Sequence, residues 1–266
     1  MLVSELMTRS FPTVAPDANA LDVGASLEEQ GIGTAIVERD GELLGIVSKE
    51  TFVSNILKNS EKRMEDLSVA DFMEADISSV DAGDHIKKAI ELLICQKSFV
   101  DALPVRSDGR VTGLVTMSDI TRLFSQNMVG EYKVSDLMHF SPITVDDFTP
   151  VDEVVGAMTS LSAKRVLVLS GESLSGIITI HDLSLAIFHS IREKGVLDRK
   201  SALQARDIMT LDPVCVRSKD DASKAASIMD GQGFGGIPVA DPGLEGLISR
   251  TDLLKGYEVL FSKENL

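Results

Sequence analysis

The residues best suited to chemistry recur at a fixed spacing. A Gly-apolar-apolar-Ser/Thr-x-x-Asp string runs from Gly113 through Thr116 and Ser118 to Asp119, from Gly176 through Thr179 to Asp182, and from Gly246 through Ser249 to Asp252. A fourth copy, Gly45 to Thr51, keeps Ser48 but carries Thr51 where the others carry Asp. A hydroxyl followed three residues later by an acid is the signature of a capping box at a helix start, where the acid also complements the helix dipole. The same geometry suits a ligand. A helix N-terminus offers free N–H groups and partial positive charge to a phosphate. The hydroxyls of Thr116, Thr179 and Ser249 can donate to a phosphate oxygen, and the carboxylates of Asp119, Asp182 and Asp252 can accept two hydrogen bonds from a ribose diol. Spacing alone favours the cap.

Cations stand near these strings. Lys164 and Arg165 precede the apolar strand Val166-Leu167-Val168. Two cations at one cleft position hold a phosphate locally even in an acidic chain; the alternative is a charged pair guarding an exposed strand edge. Arg250 and Lys49 lie inside the motifs and can add charge-assisted bonds. Arg206 reads as half of a structural ion pair. His181 reads as a surface residue at a helix start that could touch phosphate. Cys95 and Cys215 read as buried thiols. The two cysteines are far apart and the four histidines share no ligand spacing, so no disulfide and no metal site is expected. A phosphate-binding P-loop, a nucleophile elbow and a catalytic carboxylate pair are all missing, and no enzymatic activity is expected.

The elements that must position these residues form an internal repeat of about 65 residues. Each unit opens on Met followed seven residues later by Val: Met7 and Val14, Met73 and Val80, Met138 and Val145, Met209 and Val216. A helical apolar pattern follows, as in Ile86, Ile90, Leu93 and Ile94, or Val151, Val154, Val155 and Met158. Then come two β-rich runs across a turn. Asp40-Gly41 and Asp108-Gly109 are strong hairpin signals, with Ser170-Gly171 and Asp241-Pro242-Gly243 in the same place. A second helix closes each unit, as in Ile120, Leu123 and Phe124, or Leu253, Leu254 and Tyr257. The predicted unit is βαββα, an α+β fold too small to bury its helices and sheet alone, so units must pair. The repeats span 1–58, 67–126, 132–190 and 203–262, with polar connectors at 58–66, 125–133 and 189–202.

Four copies of the motif in one strand-turn-strand-helix context, with the Met-x6-Val openings and the Leu103-Pro104-Val105 type of strand, resemble the CBS domain (named for cystathionine β-synthase) across the whole chain. The resemblance implies two Bateman modules, 1–126 and 132–262, closing into a disc as in the γ subunits of AMP-activated protein kinases. In those, His-Arg occupies the place of Lys164-Arg165 in two repeats. It implies an adenosyl ligand (AMP, ADP, ATP or S-adenosylmethionine) in clefts between paired repeats, with ribose and phosphate on one repeat's motif and base on the other repeat. By that carry-over Asp252 and Ser249 work with Thr144 and Lys164. Asp182 and Thr179 work with Cys215, Gly235 and Gly236, and Asp119 and Thr116 with Thr13 and Gly33. The fourth cleft, with Thr51, Ser79 and Asp101, lacks its ribose acid and is expected empty or specialised. The implied role is a regulatory sensor that changes conformation and controls a protein partner, with possible homodimerisation through the discs. A ligand-independent scaffold is the alternative.

Composition narrows the rest. The 266 residues are 44% hydrophobic and 25% charged, which suits an ordered globular chain. Lys and Arg total 26 against 41 Asp and Glu, a formal net charge of −15 that disfavours nucleic acid and anionic membranes. Trp is absent and aromatics are 5%, so base-stacking platforms are scarce. The opening MLVSELMTRSF is not a signal peptide and no apolar run reaches ~18 residues. A cytoplasmic location is expected.

Overall fold

The computed structural model describes residues 1–30, 32–56, 67–96, 100–186 and 203–263. The predicted connectors at 58–66 and 189–202 lie outside the described residues. Repeat 1 contains α1 (Val3–Leu6), β1 (Thr13–Val14), α2 (Ala20–Glu29), β2 (Thr34–Arg39), β3 (Glu42–Ser48) and α3 (Lys49–Ile56). Repeat 2 opens with a 3-10 turn at Val69–Asp71, then β4 (Val80–Asp81), α4 (Ile86–Cys95), β5 (Ala102–Ser107), β6 (Arg110–Thr116) and α5 (Met117–Asn127). Repeat 3 has α6 (Val134–Leu137), β7 (Thr144–Asp146), α7 (Val151–Ser160), β8 (Arg165–Ser170), β9 (Ser173–Thr179) and α8 (180–186). Repeat 4 has α9 (Ala205–Ile208), β10 (Thr210–Leu211), α10 (Ala222–Gln232), β11 (Gly236–Ala240), β12 (Leu244–Ser249) and α11 (Arg250–Lys263). The short helical turn before each opening Met is an element the sequence reading lacked.

Each repeat builds the same small sheet. The strand that carries the opening Val runs parallel to the first hairpin strand: Val14 faces Val37, Val80 faces Val105, and Val145 faces Val168. In repeat 4 that strand shrinks to one bridge, Val216 to Val239. Parallel neighbours need a long crossover, which α2, α4, α7 and α10 supply. The hairpins β2–β3, β5–β6, β8–β9 and β11–β12 are antiparallel. Asp40 and Gly41, and Asp108 and Gly109, have the positive φ values that two-residue turns of this twist require. Every hairpin carries a bulge just ahead of its motif glycine, for example between Val37 and Glu38 opposite Gly45.

Pairing takes the form of exchange. The chain after each opening Met leaves its own repeat and joins the hairpin of the other repeat in its module. Thr8 bridges Leu114 and Glu74 bridges Ile46. His139 bridges Leu247, and β10 pairs with β9. The motif glycine is where this happens. A Cβ on Gly45 would lie 2.6 Å from the Glu74 carbonyl oxygen and 3.2 Å from the Met73 sulfur. Gly113 stands in the same relation to Met7 and Thr8, Gly176 to Met209 and Thr210, and Gly246 to Met138 and His139. Met7 and Met138 are buried, whereas Met209 is only partly buried.

The modules join through their helices. One buried cluster unites repeats 2 and 4, from Ile90, Leu93, Ile120 and Phe124 to Met229, Leu253 and Tyr257. A second unites repeats 1 and 3, from Leu27 and Phe52 to Val154, Met158 and Leu183. Phe124 meets Tyr257 edge-on at 5.4 Å, and the Tyr132 hydroxyl donates to the Gly256 carbonyl at 3.2 Å. Gly256 lets α11 approach closely: a Cβ there would sit 3.2 Å from both Leu137 and Phe124. The four repeats thus close into the expected disc. No helix among the described residues is long and apolar enough to cross a membrane.

A methyl at the motif glycine has no room where its neighbour is backbone. Gly246→Ala, whose Cβ would lie 2.5 Å from the His139 carbonyl oxygen, is expected to lower stability by about 1–3 kcal/mol. Gly156→Ala, in α7 with open space around it, is expected to raise stability by about 0.5–1 kcal/mol. Urea unfolding of both variants checks the pair.

Candidate functional site

All four motifs form caps. The Thr116 N–H and hydroxyl both donate to Asp119 Oδ2, at 2.9 and 2.7 Å. Thr179 does the same to Asp182 at 2.7 and 2.6 Å, and Ser249 to Asp252 at 2.9 and 2.6 Å. In repeat 1 the Ser48 N–H donates to Thr51 Oγ1 at 2.9 Å and the Thr51 N–H to Ser48 Oγ at 3.2 Å, so a hydroxyl replaces the carboxylate. The cap uses one oxygen of each acid. The other differs between repeats. Asp119 Oδ1 accepts from Arg122 Nη2 at 2.7 Å and Asp252 Oδ1 lies 3.9 Å from Lys255 Nζ, whereas Asp182 Oδ1 has no partner among the described residues.

The motif helices start where the four repeats meet, and charge collects there. Lys164 of repeat 3 forms an ion pair with Asp101 of repeat 2, linking the two modules. Arg165, the first residue of β8, lays its guanidinium across Gly235 and Gly236 of repeat 4; a Cβ on Gly236 would meet its Cδ at 3.2 Å. Arg250 opens α11, its N–H donating to the Gly235 carbonyl at 3.1 Å, while its buried Nε has no hydrogen-bond partner among the described residues. Glu50 of repeat 1 faces the same centre. Burial pulls both arginines below the usual guanidinium range, and Asp101 is the leading charge that opposes this in each. Burial pushes the Glu50 carboxyl up, with the nearby Asp101 charge adding to it. Yet Glu50, Arg165 and Arg250 all keep part of their surface open.

The comparisons agree with this architecture. The CBS-domain family model matches residues 3–58, 69–126, 134–189 and 205–258. The chain belongs to the CBS-domain family. Its four CBS repeats form two Bateman modules. The solved structure of MJ1225 from Methanocaldococcus jannaschii, proposed as an archaeal homologue of g-AMPK, superposes with a TM-score of 0.85 at 20% identity, covering 97% of this chain and 100% of that one. An uncharacterised conserved protein from Pyrococcus horikoshii gives a TM-score of 0.68 at 23% identity, covering 96% and 99%. An uncharacterised 33.4 kDa protein from the ribosomal RNA operon of Thermofilum pendens is 24% identical over 99% of this chain and 96% of its own length.

The predicted residues fall into four groups. Lys164, Arg165 and Arg250 gather with Asp101 and within electrostatic reach of Asp119 and Asp252, while Asp182 caps Thr179, the residue paired with Arg165 across β8 and β9. Thr116, Thr179 and Ser249 are caps beside it, and Ser118 is partly buried in the first turn of α5. Thr13, Thr144, Cys215 and Gly33 are exposed. Gly235 and Gly236, expected on the base side, are covered by Arg165.

Several expectations need correction. Lys164 and Arg165 are not an exposed edge pair, because β8 is an inner strand of β10-β9-β8-β7. Cys95 and Cys215 are exposed; Cys95 ends α4 and Cys215 sits where repeat 4 reduces its strand to a bridge. Arg206 stacks 4.4 Å over the Phe148 ring. His181 is exposed, as expected. The sequence reading missed Glu50. Its signal was positional: an acid stands in repeat 1 where the other motifs place Ser118, His181 and Thr251.

A carboxyl whose pKa rises on folding favours the fold most below its unfolded pKa, and this advantage fades as pH climbs through the folded value. Glu50→Gln, which carries no charge at any pH, is therefore expected to melt above the wild type at about pH 8. The two melting curves are expected to converge below about pH 4, where both side chains are neutral. Thermal unfolding across that range reads the difference.

Proposed function

We propose that this protein is a regulatory sensor that binds an adenine nucleotide at the centre of its CBS disc. The observation that carries the reading is the convergence of Lys164, Arg165 and Arg250 beside three capped helix starts in a chain of net charge −15. Asp101 and Glu50 already offset part of the repulsion among these cations, and an anionic ligand would offset the rest. The orphaned Arg250 Nε is a buried donor waiting for an acceptor. Asp182 and Asp252 supply the ribose acceptors, because the cap leaves their second oxygens unclaimed or only distantly engaged. Asp119 must first give up Arg122 to do the same.

The cations discriminate between the family's ligands. AMP, ADP and ATP bring phosphates that match them; S-adenosylmethionine brings a sulfonium cation that they repel. Binding moves charge among groups drawn from four repeats. A ligand that prefers one arrangement of the modules shifts their population, and coupling of about 1–3 kcal/mol is enough for control of a partner protein. The nucleotide is read and released unchanged. A pair of discs is the natural larger assembly.

A ligand-independent scaffold is the second reading. Its support is that every cap is already satisfied within the protein and Lys164 already has Asp101. Calorimetry with AMP, ADP, ATP and S-adenosylmethionine separates the two. The sensor reading expects ATP or AMP to bind the wild type. It also expects Asp182→Asn and Asp252→Asn, which keep a capping oxygen, to lose about tenfold or more in affinity while melting near the wild type. Absence of binding by every nucleotide at millimolar concentration leaves the scaffold.

A further inference from the structure

We propose that Asp101 is a built-in competitor for the ligand's phosphates: it holds Lys164, and a phosphoryl group that takes Lys164 releases the tie between the two modules. This rests on the nucleotide reading above and gives a task to the cleft that lost its ribose acid. That cleft cannot serve as its sisters do, since Thr51 caps Ser48 with a hydroxyl. What it offers instead is negative charge. Asp101 stands one residue before β5 and holds the start of α5 through its carbonyl, which accepts from the Met117 N–H at 2.9 Å. Its carboxylate meets Lys164 at the entrance to β8. The backbone around both residues is pinned, because the Lys164 carbonyl accepts from the Ile180 N–H at 3.1 Å. The pair is therefore held in place from both sides, and only side-chain rotation is needed to part it.

Three features make exchange with phosphate feasible. Lys164 and Asp101 side chains are 22% and 27% exposed, so an incoming anion reaches them without unfolding the disc. Arg165 and Arg250 lie close enough for the same carboxylate to be the leading charge acting on each. The chemistry also matches: a phosphoryl oxygen and a carboxylate oxygen take the same donors, and a doubly charged phosphate out-competes a single carboxylate for three cations. The pair spans repeats 2 and 3, so its loss alters the contact between modules, which a merely local salt bridge would not.

The test is a cycle of Asp101→Asn, Lys164→Met and the double variant, titrated with ATP, AMP and inorganic pyrophosphate. Asp101→Asn is expected to bind ATP and pyrophosphate roughly tenfold more tightly than the wild type, with a smaller gain for AMP, and Lys164→Met is expected to abolish that gain. If the wild type binds ATP and Asp101→Asn binds it no better, the competitor is overturned and the nucleotide reading stands. If Asp101→Asn gains affinity for pyrophosphate but neither protein binds any adenine nucleotide, the competitor stands and the nucleotide reading falls. If no anion binds any variant, both fall. A measurement on the wild type guards against a misfolded variant. Carbodiimide coupling is expected to join Asp101 to Lys164, and saturating pyrophosphate to suppress that link several-fold while leaving the surface pair Lys88 and Asp84 coupled as before. A link that persists unchanged in saturating pyrophosphate overturns the inference.

Discussion

The close approach of each motif glycine to the opening methionine of the other repeat is the contact on which the architecture depends. It occurs four times, at Gly45, Gly113, Gly176 and Gly246. Because the exchange is reciprocal, neither repeat of a module completes its sheet without the other. The Met-x6-Val opening and the motif glycine look like separate sequence signatures, but they are the two halves of one interface. That interface also aims the chemistry. The glycine precedes the capping residue by three positions, so fixing the partner's backbone against it fixes where the next helix starts. Reciprocity within each module and helix packing between modules then bring all four helix starts to one centre.

The electrostatics follow from that geometry. A chain with 41 acids and 26 bases would be expected to show acid on most surfaces. At the disc centre the balance is different. Three cations from repeats 3 and 4 face acids drawn from repeats 1 and 2, and solvent has only partial access. Charges in such a place interact more strongly than on the surface, and each depends on its neighbours for stability. A change at one of them is felt by the others. That coupling makes the centre suited to reporting on a ligand.

Local features were legible in the sequence. The Asp-Gly turns, the helical periodicities and the caps each depend on a few consecutive residues, and all are present as read. Repeat self-similarity carried the family and the modules. What escaped were contacts between residues far apart in the chain. Asp101 was assigned to one cleft and Lys164 to another, and nothing local in either says that module packing joins them. Arg165 covering Gly235 and Gly236 has the same origin, as does Arg206 on Phe148. The exposure of both cysteines was missed because a residue at the end of a helix or in a reduced strand follows the tertiary surface and not the periodicity of its element.

Repeat 1 bears on the oldest ambiguity of the motif, cap or ligand site. Thr51 shows that a hydroxyl satisfies the first turn as fully as a carboxylate does: Ser48 and Thr51 exchange the same backbone bonds that the acids make elsewhere. Capping therefore does not require an acid. Nor does it use all of one. Each carboxylate has a second oxygen, and in Asp182 that oxygen has no partner among the described residues. A partly buried, unshared carboxylate oxygen costs desolvation energy that a second hydroxyl at that position would avoid. The acids at 182 and 252 thus carry a capacity in excess of the fold's need, whereas Asp119 spends its second oxygen on Arg122. Cap and ligand site are two uses of the same residue, one for each oxygen.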